Sequence, residues 1–393
     1  MTQLSPAWKF DELMFEDFFD DCLQINPTRQ TSGALKPLPT CKGVLFFTDD
    51  NDAPIQLLVA ANIRRTTAYR LFPQGLTTAK KRADVSQITR KIYYCTAYND
   101  FKADLKHYQI ARAIFPKTYN EISKLPRQTY VKINPTAKWP FFLLTNKPSI
   151  SNKRQKVFGL FPTRKAAAEF IQSLQNAFCL CQRPGLLATG QKAASCPYLQ
   201  MNSCGAPCIG KITRAEYLRQ INDAISAAGG NIEALKEKLQ GRMGQLSHQR
   251  AFEQAQSVKK QLSRLQLLGE QDYYWTGELS GLTILHIDRS AKIAALGKRK
   301  KVQTYSAFLI KPGRIAELGD FGLENTDPFY ESFLALLSGP TDCQDPKNLS
   351  EQLSLLAWNL YRNRPAGVWF NCSKMHRIPK AEKIKNAILE RFE

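Results

Sequence analysis

Five of the ten cysteines fall between Cys179 and Cys208, in the run FCLCQRPGLLATGQKAASCPYLQMNSCGAPCIG. Cys196, Cys204 and Cys208 are separated by seven and three residues, and fourteen residues separate Cys181 from Cys196. This spacing lets four thiolates converge, and soft thiolate ligands select zinc or an iron–sulfur cluster. A structural zinc ribbon normally carries two Cys-x-x-Cys knuckles, which this run lacks. Irregular spacing that ends in Cys-x-x-x-Cys beside Pro207 suits an iron–sulfur cluster better, with zinc as the alternative. The plainer reading is a set of small buried hydrophobes. Five cysteines in so short a stretch, in a long chain with no secretory leader, favour a metal.

Several elements must position these thiols. Upstream, β-type runs at Tyr130–Ile133, Phe141–Leu144 and Val157–Phe161 alternate with Pro, Asn and Ser breaks, and Lys165–Phe178 (KAAAEFIQSLQNAF) predicts a helix. Downstream, residues 214–268 are helical in pattern with one break at Gly229-Gly230-Asn231, which predicts an antiparallel helical hairpin. Earlier still, GVLFFTDDNDAPIQLLVAA gives two β-rich runs around Asp49-Asp50-Asn51-Asp52, and basic helical segments follow to Ile122. Residues 1–35 form an acidic lead-in in which Phe10, Leu13, Met14, Phe18 and Phe19 recur at helical spacing before a linker from Pro27 to Gly33. Beyond Tyr273, strands (Thr283–Ile287, Thr304–Ile310) precede helices (Pro328–Leu337, Leu349–Tyr361). There is no internal repeat.

The 393-residue chain carries 55 Lys and Arg against 34 Asp and Glu, a formal charge of +21. Such an excess points to phosphate-bearing partners, nucleic acid first, although dispersed surface lysines could serve solubility alone. No stretch approaches 18 uninterrupted apolar residues, and Asp11, Glu12, Glu16, Asp17, Asp20 and Asp21 replace the basic start of an export signal. A soluble, cytoplasmic protein with no membrane association is expected.

The segment CPYLQMNSCGAPCIGKITRAEY resembles the UvrC family of the bacterial UvrABC excinuclease, as does KVFGLFPTRKAAAEFIQSLQNAF before it. The resemblance implies a [4Fe-4S] cluster held by Cys181, Cys196, Cys204 and Cys208, with Cys179 a substitute for Cys181. LKEKLQGRMGQLSHQRAFEQAQSVKKQL resembles that family's UVR motif, a helix pair that meets a similar motif on the helicase-like partner UvrB. Met243, Phe252, Glu253, Ala255 and Leu262 are then the partner-binding positions. Physically, Met243, Phe252, Ala255 and Leu262 belong to an apolar stripe edged by charge, which an ordinary two-helix core element would also show.

The same family opens with a GIY-YIG endonuclease domain, whose outline residues 41–120 follow. That chemistry needs two tyrosines, an Arg and a metal-binding Glu. Here Leu45 and Leu58 stand at the tyrosine positions, Ala60 replaces Gly, Arg65 (or Arg64) falls in the region of the Arg, His107 replaces the Glu, and Asn120 alone matches. An imidazole is a poor substitute for a hard-metal carboxylate. The expectation is a degenerate domain that keeps a basic surface without a divalent metal. Arg64, Arg65, Arg70, Lys80, Lys81, Arg82, Arg90 and Lys91 are its candidate DNA contacts, against the alternative of a solvated face. Full-length members add a ribonuclease-H-like domain and helix-hairpin-helix motifs, for which this chain is too short. Asp288 ends a β-run without a second strand-borne carboxylate, Lys298-Arg299-Lys300-Lys301 reads as a charged turn, and His248 and His376 read as surface residues.

The expected fold is α+β and multi-domain: an acidic extension (1–35), a degenerate GIY-YIG-like α/β domain (36–125), a small α/β connector (126–178), a four-cysteine iron–sulfur segment (179–212), a UVR-like helical hairpin (213–270) and a C-terminal α/β domain (271–393). The expected function is DNA repair of the nucleotide excision type, binding DNA, repair partners or both without incision. The alternatives are a divergent endonuclease with a site rebuilt from Arg65, His107, Asn120 and Tyr69, and an adaptor with little DNA affinity.

Overall fold

Short runs rich in apolar and β-branched residues build three four-stranded antiparallel sheets among the described residues, and helices close them. A computed structural model describes residues 15–25, 32–72, 85–152, 154–189, 196–201, 203–268, 273–294, 301–339 and 345–392. It is a mixed α+β, multi-domain architecture. The amphipathic helix expected near the N-terminus falls largely outside these residues, as does most of the linker from Pro27 to Gly33.

The first sheet has the order β1-β4-β2-β3, from β1 (Asp21–Gln24), β2 (Gly43–Thr48), β3 (Pro54–Ala60) and β4 (Lys91–Thr96). The expected hairpin is present, with Leu45 opposite Leu58 and Gly43 opposite Ala60. The acidic lead-in contributes more than a helix. Its residues 21–24 pair with β4 as an edge strand, Cys22 opposite Tyr93, so the sheet begins before residue 36. Helix α1 (Ile63–Leu71) covers one face, packing Ile63 and Leu71 with Leu45, Phe47 and Ala60. Helix α2 (Asp100–Ile114) covers the other, packing Ile110 with Val44 and Cys95, and α3 (Tyr119–Ser123) follows it. Asn62 and Asn99 cap α1 and α2 through their side-chain oxygens.

The second sheet, β6-β5-β7-β8, joins β5 (Tyr130–Ile133), β6 (Leu143–Thr145) and β7 (Lys156–Gly159) to β8 (Gly277–Glu278). α4 (Arg164–Phe178), the short α5 (Pro184–Thr189) and α6 (Pro197–Gln200), and then α7 (Arg214–Ala228), α8 (Ile232–His248) and α9 (Phe252–Leu267) lie between β7 and β8. One core runs through all of them, from Val131 and Phe158 through Phe170, Tyr217 and Leu239 to Leu265. The connector, the cysteine segment and the helices therefore form one unit. The helical stretch holds a second break that its pattern did not reveal. Arg250 takes a left-handed conformation (φ 57), and Ala251 N donates back to the Leu246 carbonyl (2.9 Å), so the hairpin proper is α8–α9 and α7 packs beside α4.

The third sheet, β11-β10-β9-β12, is built from β9 (Ile284–Ala294), β10 (Lys301–Lys311), β11 (Arg314–Phe321) and β12 (Val368–Asn371). Helices α10 (Asp327–Leu337), α11 (Pro346–Leu360) and α12 (Ala381–Phe392) pack against it. A shared core binds the three units: Phe101 and Leu105 of α2, Tyr130 and Val157 of the middle sheet, and Ile284, Phe308 and Leu356 of the C-terminal unit. Among the described residues, no helix is long and apolar enough to cross a membrane.

Candidate functional site

The cysteine segment begins where α4 ends. Cys179 adopts a left-handed cap conformation (φ 51), turning the chain so that its carbonyl accepts Gly205 N at 2.9 Å. That turn sets Cys181 beside Cys204: the Cys181 thiol hydrogen-bonds Cys204, which raises Cys181 and lowers Cys204 from the ordinary thiol value. Cys204 Sγ also accepts the Ala206 amide at 3.3 Å and a backbone hydrogen bond from Gln182. Ala206 reaches its position through a left-handed conformation (φ 53), rare for a residue with a Cβ. Cys208, on a short 3-10 turn (Pro207–Ile209), is close enough to raise Cys181 further, and Cys179 and Cys204 likewise feel one another.

Cys179, Cys181, Cys204 and Cys208 thus share one neighbourhood, with backbone amides aimed at Cys204 and Cys181. Cys196 is buried at the N-cap of α6. Residues 190–195, which lead to it, lie outside the described residues. Among the described residues, no three Cys, His, Asp or Glu side chains stand as a ready metal cage. The donor chemistry suits a soft metal or cluster. Ala206 and its amide are the part of this site that ligand spacing did not disclose; the Gly-Ala-Pro-Cys turn was its one sequence signal.

In the first unit, the nuclease-motif positions are split between layers. Leu45 is fully buried, and Leu58 and Ala60 join it in the core beneath α1. His107 lies on α2, across the sheet, where its ring makes a backbone hydrogen bond with Leu57 and burial lowers its pKa. Asn120 is exposed on α3, also on the α2 side, while Arg65 and Tyr69 are exposed on α1. The structure does not bring Arg65, Tyr69, His107 and Asn120 together.

The basic cluster is similarly dispersed. Arg64 is committed to carbonyls, Nε to Leu38 (2.8 Å) and Nη2 to Lys36 (2.5 Å). Arg90 meets Asp50 (3.5 Å), and Lys91 meets Asp52 (2.7 Å), which also accepts the Tyr93 hydroxyl (2.6 Å). Arg65 is exposed and Arg70 half-buried; Lys80, Lys81 and Arg82 lie outside the described residues. In the hairpin, Ala255 is buried and Met243 and Leu262 pack on the core, whereas Phe252 is 66% exposed and Glu253 is exposed beside the α8–α9 turn. Two of the five expected contact positions therefore face outward.

Residues 128–227 match the UvrC/Cho excinuclease middle domain, a span that takes in β5, β6 and β7 of the second sheet, α4, the cysteine segment and most of α7. A UvrABC system protein C from Caldicellulosiruptor saccharolyticus is 25% identical over 76% of this chain and 48% of its own length. One from Legionella pneumophila (strain Paris) is 28% identical over 60% of the chain and 38% of its own length. One from Clostridium perfringens (strain 13) is 22% identical over 90% of the chain and 56% of its own length. The chain thus spans about half the length of the curated relatives it matches. No solved structure matches it. Residues 128–227 are thus similar to the UvrC/Cho middle domain, and the chain around them is similar to part of UvrABC system protein C.

Proposed function

We propose that this chain acts in DNA repair of the nucleotide excision type, binding DNA and a UvrB-like repair helicase without cutting. The observation that carries the reading is the middle-domain match over residues 128–227, set in a chain of charge +21. The absence of incision is supported by the buried Leu45 and by the separation of His107 from the α1 layer. Hydrolysis of a phosphodiester needs its nucleophile-activating and metal-binding groups on one surface.

In this reading Cys181, Cys196, Cys204 and Cys208 hold a [4Fe-4S] cluster, with Cys179 as the reserve ligand and zinc as the alternative metal. The bound group would cross-link α4, the cysteine loop and α7, a structural service rather than a hydrolytic one. Phe252 and Glu253 at the hairpin turn meet the UvrB-like partner. Duplexes carrying a nick, a bubble or a lesion, incubated with the chain in Mg²⁺ and in Mn²⁺, are expected to be bound and left intact. Reproducible incision that His107→Ala abolishes would overturn the non-cutting assignment. Anaerobic purification should give brown protein with iron and sulfide; colourless protein with stoichiometric zinc would keep the ligands and replace the cluster.

A further inference from the structure

We infer that the outer part of the β9–β10 ribbon is an arm that enters the major groove of duplex DNA. The inference rests on the reading that the chain binds DNA and names the element that does so.

β9 and β10, 11 residues each, outrun their neighbours. β12 pairs with β9 only up to Ile287, and β11 pairs with β10 only from Tyr305. Beyond those points, Lys292, Ile293 and Ala294 pair with Gln303, Val302 and Lys301 and, among the described residues, with no third strand. A two-stranded ribbon standing alone is marginal in water and exposes its edges. This one is anchored at its root. The register shifts by one residue between Gln303 and Tyr305, and such a bulge bends and twists a ribbon away from its sheet. The carbonyls it displaces are all satisfied: Gln303 Nε2 donates to Ser290 and Thr304 (2.8 Å each), and the Thr304 hydroxyl donates to Ala291 (2.6 Å). The Ser290 hydroxyl ties the root to Asp320 of β11 (2.5 Å). The bend is therefore held in place before any ligand arrives.

Charge selects the occupant. The described residues of this stretch, 289–294 and 301–303, hold Arg289, Lys292 and Lys301 and no Asp or Glu. Arg289 is spent at the root, where Nη2 donates to the Phe392 carbonyl (2.5 Å) and the guanidinium stacks on the Phe392 ring. Lys292 and Lys301 are exposed and make no ion pair among the described residues. The register puts Lys292 and Lys301 on one face of the ribbon, while Ile293, 52% exposed, lies opposite Val302 on the other. A polyanion is the complementary ligand, and geometry narrows it to duplex DNA. Two strands about 4.8 Å apart with their side chains fill a groove about 12 Å wide, the B-form major groove. The A-form RNA major groove is too narrow to admit them.

The test uses the full chain and fluorescence anisotropy on a B-form DNA duplex across a salt series. Lys292→Ala/Lys301→Ala should weaken binding and lower the slope of log K against log salt by about 2, since each lost phosphate contact removes about 0.9. Lys292→Arg/Lys301→Arg should keep the wild-type slope, and both variants should melt with the wild type because the side chains are exposed. On an RNA duplex of the same sequence, the alanine pair should change nothing. An unchanged slope on DNA, with the wild type binding normally, overturns the arm while leaving the DNA-binding reading intact. An equal loss on RNA overturns groove entry. A wild-type chain that binds no duplex overturns both.

Discussion

Glu351 accepts the hydroxyls of Tyr108 (2.5 Å) and Tyr119 (2.6 Å) and has Arg112 Nη1 at 3.6 Å, all inside the joint between α2, α3 and α11. Removing it takes away the shared carboxylate acceptor of two buried hydroxyls, while Arg112 keeps Asn348 (3.0 Å) and Asp345 (3.8 Å). Glu351→Ala should therefore cost about 3 kcal/mol, read as a lower urea midpoint, and Glu351→Gln should cost less. Asp288 presents the opposite case. Burial raises its carboxyl to about 6 from the ordinary 3.8, against the pull of Lys42, Arg289 and Arg391. The folded chain thus holds this proton more tightly than the unfolded one. The stabilisation is complete below pH about 4 and is lost as pH rises through about 6. Asp288→Asn should match the wild type at pH 4 and exceed it at pH 8 by up to about 3 kcal/mol, which thermal melts at the two pH values would measure. At this scale the sequence disclosed the thiols, because ligand chemistry depends on residue type and spacing. It could not disclose that Arg64, Arg90 and Lys91 have local partners, because those contacts depend on which carbonyls and carboxylates the fold brings near.

The α8–α9 turn shows why some elements stayed hidden. Gly229-Gly230 announces its break by composition, and Gly230 does take a positive φ of 81. The turn at Arg250 carries no such signal, because an arginine there accepts a left-handed backbone (φ 57) in exchange for the closing bonds to Leu246 and Ser247. Arg250→Gly should relieve roughly 1 kcal/mol, visible as a higher melting temperature. Edge strands were similarly obscure: Asp21–Gln24 lies in the acidic lead-in and pairs as β1 along the edge that β4 offers. Gly43 opens β2 at a point where only a residue without a side chain fits. A Cβ there would sit 2.1 Å from the Cys95 carbonyl oxygen and 2.7 Å from Ile63. Gly43→Ala should cost at least about 2 kcal/mol through strand displacement, checked by denaturant titration.

The three units are held together by α2, whose two faces serve different sheets. Phe101 is its anchor, with ring centroids 5.0 Å from His286, 5.1 Å from Phe308 and 5.6 Å from Trp369. Around it, Asn99 Nδ2 donates to Ser306 (2.8 Å), Lys102 pairs with Glu317, and Arg362 pairs with Asp104 (2.5 Å). Cavity creation at such a position costs about 3–5 kcal/mol. Phe101→Ala should accordingly split one unfolding transition into two, with the first unit melting apart from the rest in calorimetry. The same joint has a consequence in time. Tyr119 and Glu351 are 232 residues apart in the chain, and ribosomes add roughly 5–20 residues per second. A nascent first unit therefore waits on the order of 10–50 s with Phe101 and Leu105 uncovered, a sticky interval during which a holding chaperone would raise the yield of finished protein.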